Sequence, residues 1–407
     1  MKYGLIGEKL GHSFSKDIHE RLGYDYELCE ISPDKLESFM LARDFSGINV
    51  TIPYKREVIP YLDWIDEPAS QIGAVNTVVN RDGKLYGYNT DFYGMKELFA
   101  HADIDPEGRK AAILGSGGTS RTAKALLSSL GAREINVISR SRGITYDELY
   151  AKHSDTEIIV NTTPVGMFPD IFVSPIDLTK FRSLMGVIDA VYNPLNTDLV
   201  CKAKKCGINA ESGLYMLVAQ AIYASELFLD TKYPSYMLDV IYEGIKAEKE
   251  NLVLVGMPSS GKTTVGRLLA ERLGSEFVDT DELIIERIKM PIKDFFSAYG
   301  EERFRLVESE VINSLAGRNG LVIATGGGAV LREENISALK YNGKIIFLNR
   351  SLDKLVTTDS RPLSSDRASL ERLYSLRYPI YHSVSDLQIP GDGTPIEVAN
   401  NILENYL

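Results

Sequence analysis

Short apolar runs, punctuated by glycine or proline, alternate with longer segments of helical period almost from end to end of this chain. The first part reads as a strand (KYGLIG), a helix near Asp17 to Leu22, a strand (YDYELCEI), a helix (PDKLESFMLAR) and a strand (INVTIP). Two more strands, AVNTVV and KLYGYN, flank Asp82-Gly83, the turn signal of a hairpin. Polar, turn-rich HADIDPEGRK separates this lobe from a second one that starts at Ala111 and repeats strand and helix through INVISR, EIIVNTTP and GVIDAVYNP. Two helical stretches, LYMLVAQAIYASELFLD and SYMLDVIYEGIKAEKE, close the first module. Another strand begins directly after Glu248-Lys249-Glu250, so the major boundary falls near residue 249 without a flexible linker. Such alternation predicts an α/β fold built on parallel sheets.

Composition narrows the function classes. The 407 residues suffice for two or three domains with real cores. A net charge of −11, with no basic run, excludes a nucleic-acid footprint. The start, MKYGLIGEKLGHS, meets glycines and charges too early for a secretory signal, and no apolar stretch reaches spanning length, so no membrane partner is expected. Cys29, Cys201 and Cys206 make no disulfide framework, which fits a reducing cytoplasm. Five scattered histidines show no metal-ligand spacing.

Two glycine loops, each between a strand and a helix, carry the first chemistry. In Gly115-Ser116-Gly117-Gly118-Thr119-Ser120-Arg121, the glycines allow a tight turn and close approach of backbone N–H groups to a pyrophosphate. At the end of the following strand an NAD site would offer an acidic residue to the ribose. This chain offers Ser139, Arg140, Ser141 and Arg142, which suit a 2′-phosphate and therefore NADP. The second loop, Gly256-Met-Pro258-Ser259-Ser260-Gly261-Lys262-Thr263 followed by Thr264, satisfies the phosphate-loop pattern of an ATP site. A chance match in a chain of this length is on the order of one in a hundred from average residue usage. Lys262 would reach the outer phosphates and Thr263 would ligate Mg2+. Downstream, Asp279 and Asp281 stand two apart at a strand end and face one side. One carboxylate can hold the magnesium shell while the other meets a substrate hydroxyl.

Small polar clusters mark strand ends in the first lobe: HSFS (His12 to Ser15), NVTIPYK (Asn49 to Lys55), GAVNTV (Gly73 to Val78) and GYNTDFYG (Gly87 to Gly94). Together they supply hydroxyls, amides, one amine and one carboxylate, a set suited to a small polyhydroxylated acid. With the later NTTPVGM, DAVYNP and GLYMLVAQA, residues 1 to 247 resemble shikimate dehydrogenase in matching motif order. The resemblance implies reduction of 3-dehydroshikimate by NADPH, with Lys55 and Asp91 as the catalytic pair. It implies that Ser13 and Ser15 hold the substrate carboxylate and that Thr51, Asn76, Asp91 and Gln220 bind ring hydroxyls. Tyr192 and Gly213 join the cofactor set, and His12 is a structural neighbour. Lys9 and Lys16 stand where the family often has proline, and Glu20 where asparagine is common.

Beyond residue 250, YGEERFRLVESE carries Arg305, VIATGGGAVL a second glycine turn, DSRPLSSD Arg361 and LYSLRYPIYHSV Arg377. Residues 250 to 407 resemble shikimate kinase. The resemblance makes Asp281, Arg305, Gly327 and Arg377 the shikimate site and sets Arg361 on a lid over ATP, where it neutralises transition-state charge. The segment SLDKLVTTDSRPL is short and lacks the additional arginine often found before the lid in this family. The expected organisation is a substrate-binding α/β lobe (1–104 plus 212–249), a Rossmann NADP-binding lobe (105–211) and a P-loop kinase domain with a parallel sheet (250–407). The expected function is bifunctional: dehydroshikimate to shikimate, then shikimate to shikimate 3-phosphate. Two other readings stay open on the sequence. One keeps the dehydrogenase and makes the P-loop half a degenerate regulatory ATP-binding module; the other is a quinate-type dehydrogenase fused to a different small-molecule kinase.

Overall fold

A computed structural model describes residues 1–10, 14–141, 143–357 and 366–406. Ser13, His12, Arg142 and Arg361, all named above, lie outside the described residues. The chain forms two compact units. The first comprises Met1–Met167, Val173–Tyr192 and Lys202–Gly244; the second comprises Phe168–Phe172, Asn193–Cys201 and Ile245–Leu407.

Within the first unit lie two sheets. One contains β1 (Tyr3–Gly7), β2 (Glu27–Glu30), β3 (Gly47–Val50), β4 (Trp64–Ile65), β5 (Thr77–Arg81) and β6 (Lys84–Tyr88), in the order β2-β1-β3-β5-β6-β4. β1 pairs in parallel with β2 and β3, whereas β5 runs antiparallel to both β3 and β6. The Asp82-Gly83 turn joins β5 to β6 with φ of 52° and 80°, the double left-handed geometry that matches strand twist. The other sheet contains β7 (Lys110–Leu114), β8 (Glu134–Ile138), β9 (Ile158–Asn161), β10 (Gly186–Asp189) and β11 (Asn209–Glu211), all parallel, in the order β11-β10-β9-β7-β8. The chain leaves β7 towards β8 on one side and returns to β9 on the other. The first glycine loop therefore lies at the point where strand order reverses, the position at which open α/β sheets bind ligands.

The second unit is built on β12 (Asn251–Val255), β13 (Glu276–Asp279), β14 (Leu321–Ala324), β15 (Gly343–Asn349) and β16 (Leu387–Pro390), parallel throughout, in the order β13-β14-β12-β15-β16. Helices cover both faces. Val253, Val255, Ile323 and Phe347 point into one core, while Leu252, Leu254, Val322 and Ile346 point into the other. Burial on both faces is why these strands read as unbroken apolar runs and not as alternation. Two short stretches far from residue 250 in sequence pack here as well: Ile171 joins the first of these cores, and the buried Tyr341 hydroxyl donates to Asp198 at 2.9 Å.

Candidate active sites

The first site is a cavity of about 320 Å³ in the first unit. Ser15, Thr51, Lys55, Asn76, Asp91 and Gln220 all line it, although they come from five separate parts of the sequence. Lys55 follows β3 by five residues. Asp91 sits in the first turn of the helix Thr90–His101, which Asn89 caps by accepting from the Phe92 N–H at 3.3 Å. There the helix N-terminus favours a negative charge. Lys55 Nζ lies 2.6 Å from Asp91 Oδ2, and both side chains keep partial contact with solvent. Asn76 Oδ1 accepts from the Thr90 N–H at 2.7 Å and from the Thr90 hydroxyl at 3.2 Å, so its amide is held in one orientation.

Asn49, a wall residue not singled out from the sequence, is fixed just as firmly. Its Oδ1 accepts from the Tyr26 hydroxyl at 2.6 Å, and its Nδ2 donates to Thr77 Oγ1 at 3.0 Å. Tyr192, grouped above with the cofactor, is also on the wall of this cavity, with its ring edge-to-face with Phe14; burial raises its phenol pKa.

The loop after β7 leaves through Gly115 at φ 106°, where a Cβ would come within 2.8 Å of Thr162 Oγ1. Both the left-handed backbone and the close approach require glycine. Gly117 caps the helix Gly118–Ser129, and a Cβ built at Gly117 or Gly118 would meet nothing within 4 Å. The helix N-terminus is thus open to a pyrophosphate, and the loop fits a dinucleotide. Ser139 and Arg140 follow β8 directly, beside this opening, and Ser116 Oγ lies 3.5 Å from Ser139 Oγ.

The second site is a cavity of about 930 Å³ that gathers Lys262, Thr263, Asp279, Asp281, Arg305 and Arg377. Lys262 starts the helix Lys262–Leu273, and its ammonium donates to the Gly256 and Met257 carbonyls, each at 2.9 Å. The Thr263 hydroxyl donates to Asp279 Oδ2 at 2.8 Å, and Asp279 Oδ1 accepts from the Asp281 N–H at 2.9 Å. Hydroxyl and carboxylate oxygens already side by side are the hard-oxygen donors Mg2+ takes, with phosphate and water completing its shell, so this pair fits that ion.

Arg305 is buried. It donates to Glu308 at 2.8 Å and to Glu301 at 2.9 Å. Arg377 Nη1 donates to the Gly327 carbonyl at 3.1 Å, and the Tyr381 hydroxyl donates to the same oxygen. Glu308 escaped the sequence reading because it looked like one more charge on a helix. Its spacing of three from Arg305 is shared by Glu302, so burial alone distinguishes it. It is 1% exposed, its Oε1 has no hydrogen-bond partner among the described residues, and burial raises its pKa against the pull of Arg305. The Gly326-Gly327-Gly328 turn lets these groups meet: a Cβ at Gly328 would fall 2.1 Å from Arg305 Nη1.

Comparison with known proteins follows the same division. The family model described as "Shikimate dehydrogenase substrate binding domain" matches residues 5–78, and that described as "Shikimate kinase" matches residues 258–406. The shikimate dehydrogenase (NADP(+)) of Clostridium perfringens strain SM101 is 37% identical over 266 residues, covering 60% of this chain and 98% of that protein. Among solved structures, shikimate dehydrogenase 1 of Peptoclostridium difficile aligns with a TM-score of 0.54 at 38% identity, over 60% of this chain and 98% of its own. A chorismate mutase/shikimate 5-dehydrogenase fusion protein from Clostridium acetobutylicum aligns with a TM-score of 0.56 at 35% identity, over 60% and 96%.

Proposed function

Because this chain belongs to the shikimate dehydrogenase family across its N-terminal part and carries a shikimate kinase domain behind it, we propose a role for each residue gathered in its two cavities. The protein is a bifunctional enzyme of the shikimate pathway, an NADP-dependent oxidoreductase and an ATP-dependent kinase. In our reading, residues 1–104 with 212–249 hold 3-dehydroshikimate, residues 105–211 hold NADPH, and residues 250–407 phosphorylate shikimate. The three cysteines form no disulfide, and no helix among the described residues is long and apolar enough to cross a membrane. We assign the enzyme to the cytoplasm.

For reduction, Lys55 donates a proton to the ring oxygen as negative charge develops there, and Asp91 aims the ammonium. Ser15, with Ser13, binds the substrate carboxylate; Thr51, Asn76 and Gln220 bind ring hydroxyls, and Asn49 joins them. When bound, NADPH supplies the hydride; the Gly115–Thr119 loop takes its pyrophosphate, and Ser139, Arg140, Ser141 and Arg142 take its 2′-phosphate. Tyr192 closes the substrate side, and Gly213 stays with the cofactor set.

For phosphorylation, Arg305 and Arg377 bind the shikimate carboxylate with Gly327 beside them, a task for which the planar guanidinium suits better than an ammonium. Asp281 accepts the proton of the attacking hydroxyl. The Pro258–Thr264 loop holds the ATP phosphates, with Lys262 on the outer ones, and Arg361 neutralises charge in the transition state. Thr263 and Asp279 would hold Mg2+, which supplies charge neutralisation to the phosphates.

The Lys55–Asp91 contact inside a cavity lined by four other expected groups, Ser15, Thr51, Asn76 and Gln220, is the observation that carries this reading. Purified protein should oxidise NADPH when 3-dehydroshikimate is added, and should then consume ATP when shikimate is added. Reduction without ATP consumption would remove the kinase half of the reading.

A further inference from the structure

At the carboxyl edge of the second unit's sheet, β15 lies directly beside β12, the strand that launches the phosphate loop. Val255 is level with Phe347, so Arg350, three residues on, emerges alongside the loop. The backbone on either side is tied down. The Gly391 N–H donates to the Asn349 carbonyl at 2.8 Å, Asn349 Nδ2 donates to the Tyr378 hydroxyl at 3.2 Å, and the Ser351 N–H donates to Asp392 Oδ1 at 2.9 Å. The base of the arginine is therefore held, and its guanidinium reaches the loop: Nη1 lies 3.8 Å from where a Cβ on Gly261 would stand.

This guanidinium lacks what a half-buried arginine normally has. Its Nε is buried with no acceptor, and no carboxylate pairs with it among the described residues. Asp392, the residue after the anchored Gly391, is engaged by Ser351 and by Lys354 at 3.6 Å. Buried donors are almost always satisfied, and an arginine cannot shed its charge to escape the cost. An anion arriving at the loop would complete it.

The geometry points to Arg350 as a nucleotide-binding residue that contacts the phosphate of ATP nearest the nucleoside. This rests on reading the loop as an ATP site. The phosphate to be transferred must face Asp281, Arg305 and Arg377, which line the large cavity on one side of the loop together with Thr263 and Asp279. Arg350 is not part of that lining; it approaches Gly261 from the β15–β16 side. The phosphate it meets is the one that stays with the nucleoside, and its contribution is to affinity for ATP rather than to the transfer step.

The test uses the full-length enzyme with Arg350→Gln and Arg350→Lys. For Arg350→Gln, the KM for ATP at saturating shikimate should rise about ten-fold, as for loss of one charge-assisted contact. The inhibition constant of ADP should rise with it, while those of adenosine and the KM for shikimate stay within about two-fold. Arg350→Lys, which keeps the charge, should lose less than Arg350→Gln. NADPH-dependent reduction and the thermal unfolding curve report whether each variant is folded. An ATP KM within two-fold of the parent, equal losses for ADP and adenosine, or equal losses for the two variants would each overturn the assignment. Absence of ATP-dependent phosphorylation in the unaltered enzyme would bring down the kinase reading itself, and this assignment with it.

Discussion

Lys55 and Asp91 show how much can be demanded of two side chains. At 2.6 Å the pair is one unit, and on the proposed reading the carboxylate aims the ammonium that serves as proton source. Lys55→Ala should lower the turnover of 3-dehydroshikimate reduction by about 10²–10⁴, the usual contribution of a general acid. Phosphorylation of added shikimate should be unchanged. Stopped-flow or steady-state NADPH oxidation checks this, and near-normal turnover would remove Lys55 from the mechanism. The pairing of these two residues is implied by the family resemblance of the motifs that hold them; taken singly, a lysine after Pro-Tyr reads as solvated and Asn-Thr-Asp as a turn or helix cap. Glu308 and Asn49 could not be read from the sequence. Glu308 lies among Glu301, Glu302 and Glu310 on a helix whose outer face is acidic, and only burial separates it from them. Asn49 lies inside a strand, where a lone amide reads as a tolerated polar residue until the Tyr26 hydroxyl is seen to fix it.

Elements dock through a few such contacts, and these carry their own predictions. The helix Phe14–Arg21 precedes the substrate cavity and is seated by His19, whose ring stacks on Tyr26 at 4.0 Å and lies beside Tyr24 and Phe228. Burial lowers the His19 pKa to about 3, so the folded protein holds the neutral ring while the unfolded chain takes a proton below about pH 6.5. The unfolded state then binds more protons, and the stability His19 confers is complete above about 6.5 and drains away as pH falls towards 3. Urea unfolding can be followed through Trp64, the chain's one tryptophan, which lies in the same unit. Between pH 6 and 5, below the histidine range but above most carboxylates, the slope of stability against pH should be shallower in His19→Gln by up to about 1.4 kcal/mol per pH unit. Equal slopes would mean His19 titrates normally in the fold. In the second unit, the glycine turn after β14 is the contact that matters. Gly328→Ala would drive a methyl into the Arg305 guanidinium, so the KM for shikimate should rise at least ten-fold while that for ATP changes little. An unaltered shikimate KM would show that Arg305 can move without cost and does not hold the substrate.

At the scale of the whole molecule, the alternation of strand and helix was legible because parallel α/β layers impose long, regular periods, and the hairpin because Asp82-Gly83 marks its turn; the break was expected near residue 249, and the second unit's main segment begins at Ile245. What was not legible is tertiary. Residues 168–172 and 193–201 precede that break by many residues, yet Ile171 and Asp198 pack within the second unit, and no periodicity in their own segments announces it. The central claim is that one chain carries out two consecutive reactions at two separate sites. The measurement that tests it most directly is product analysis after incubating 3-dehydroshikimate, NADPH, ATP and Mg2+ with the full-length enzyme and with two single variants. The unaltered enzyme should yield shikimate 3-phosphate. Asp281→Asn should stop at shikimate, and Lys55→Ala should leave dehydroshikimate unconsumed yet still phosphorylate shikimate supplied to it. If either substitution abolished both conversions in a folded protein, or if the unaltered enzyme accumulated shikimate without phosphorylating it, the account would be wrong.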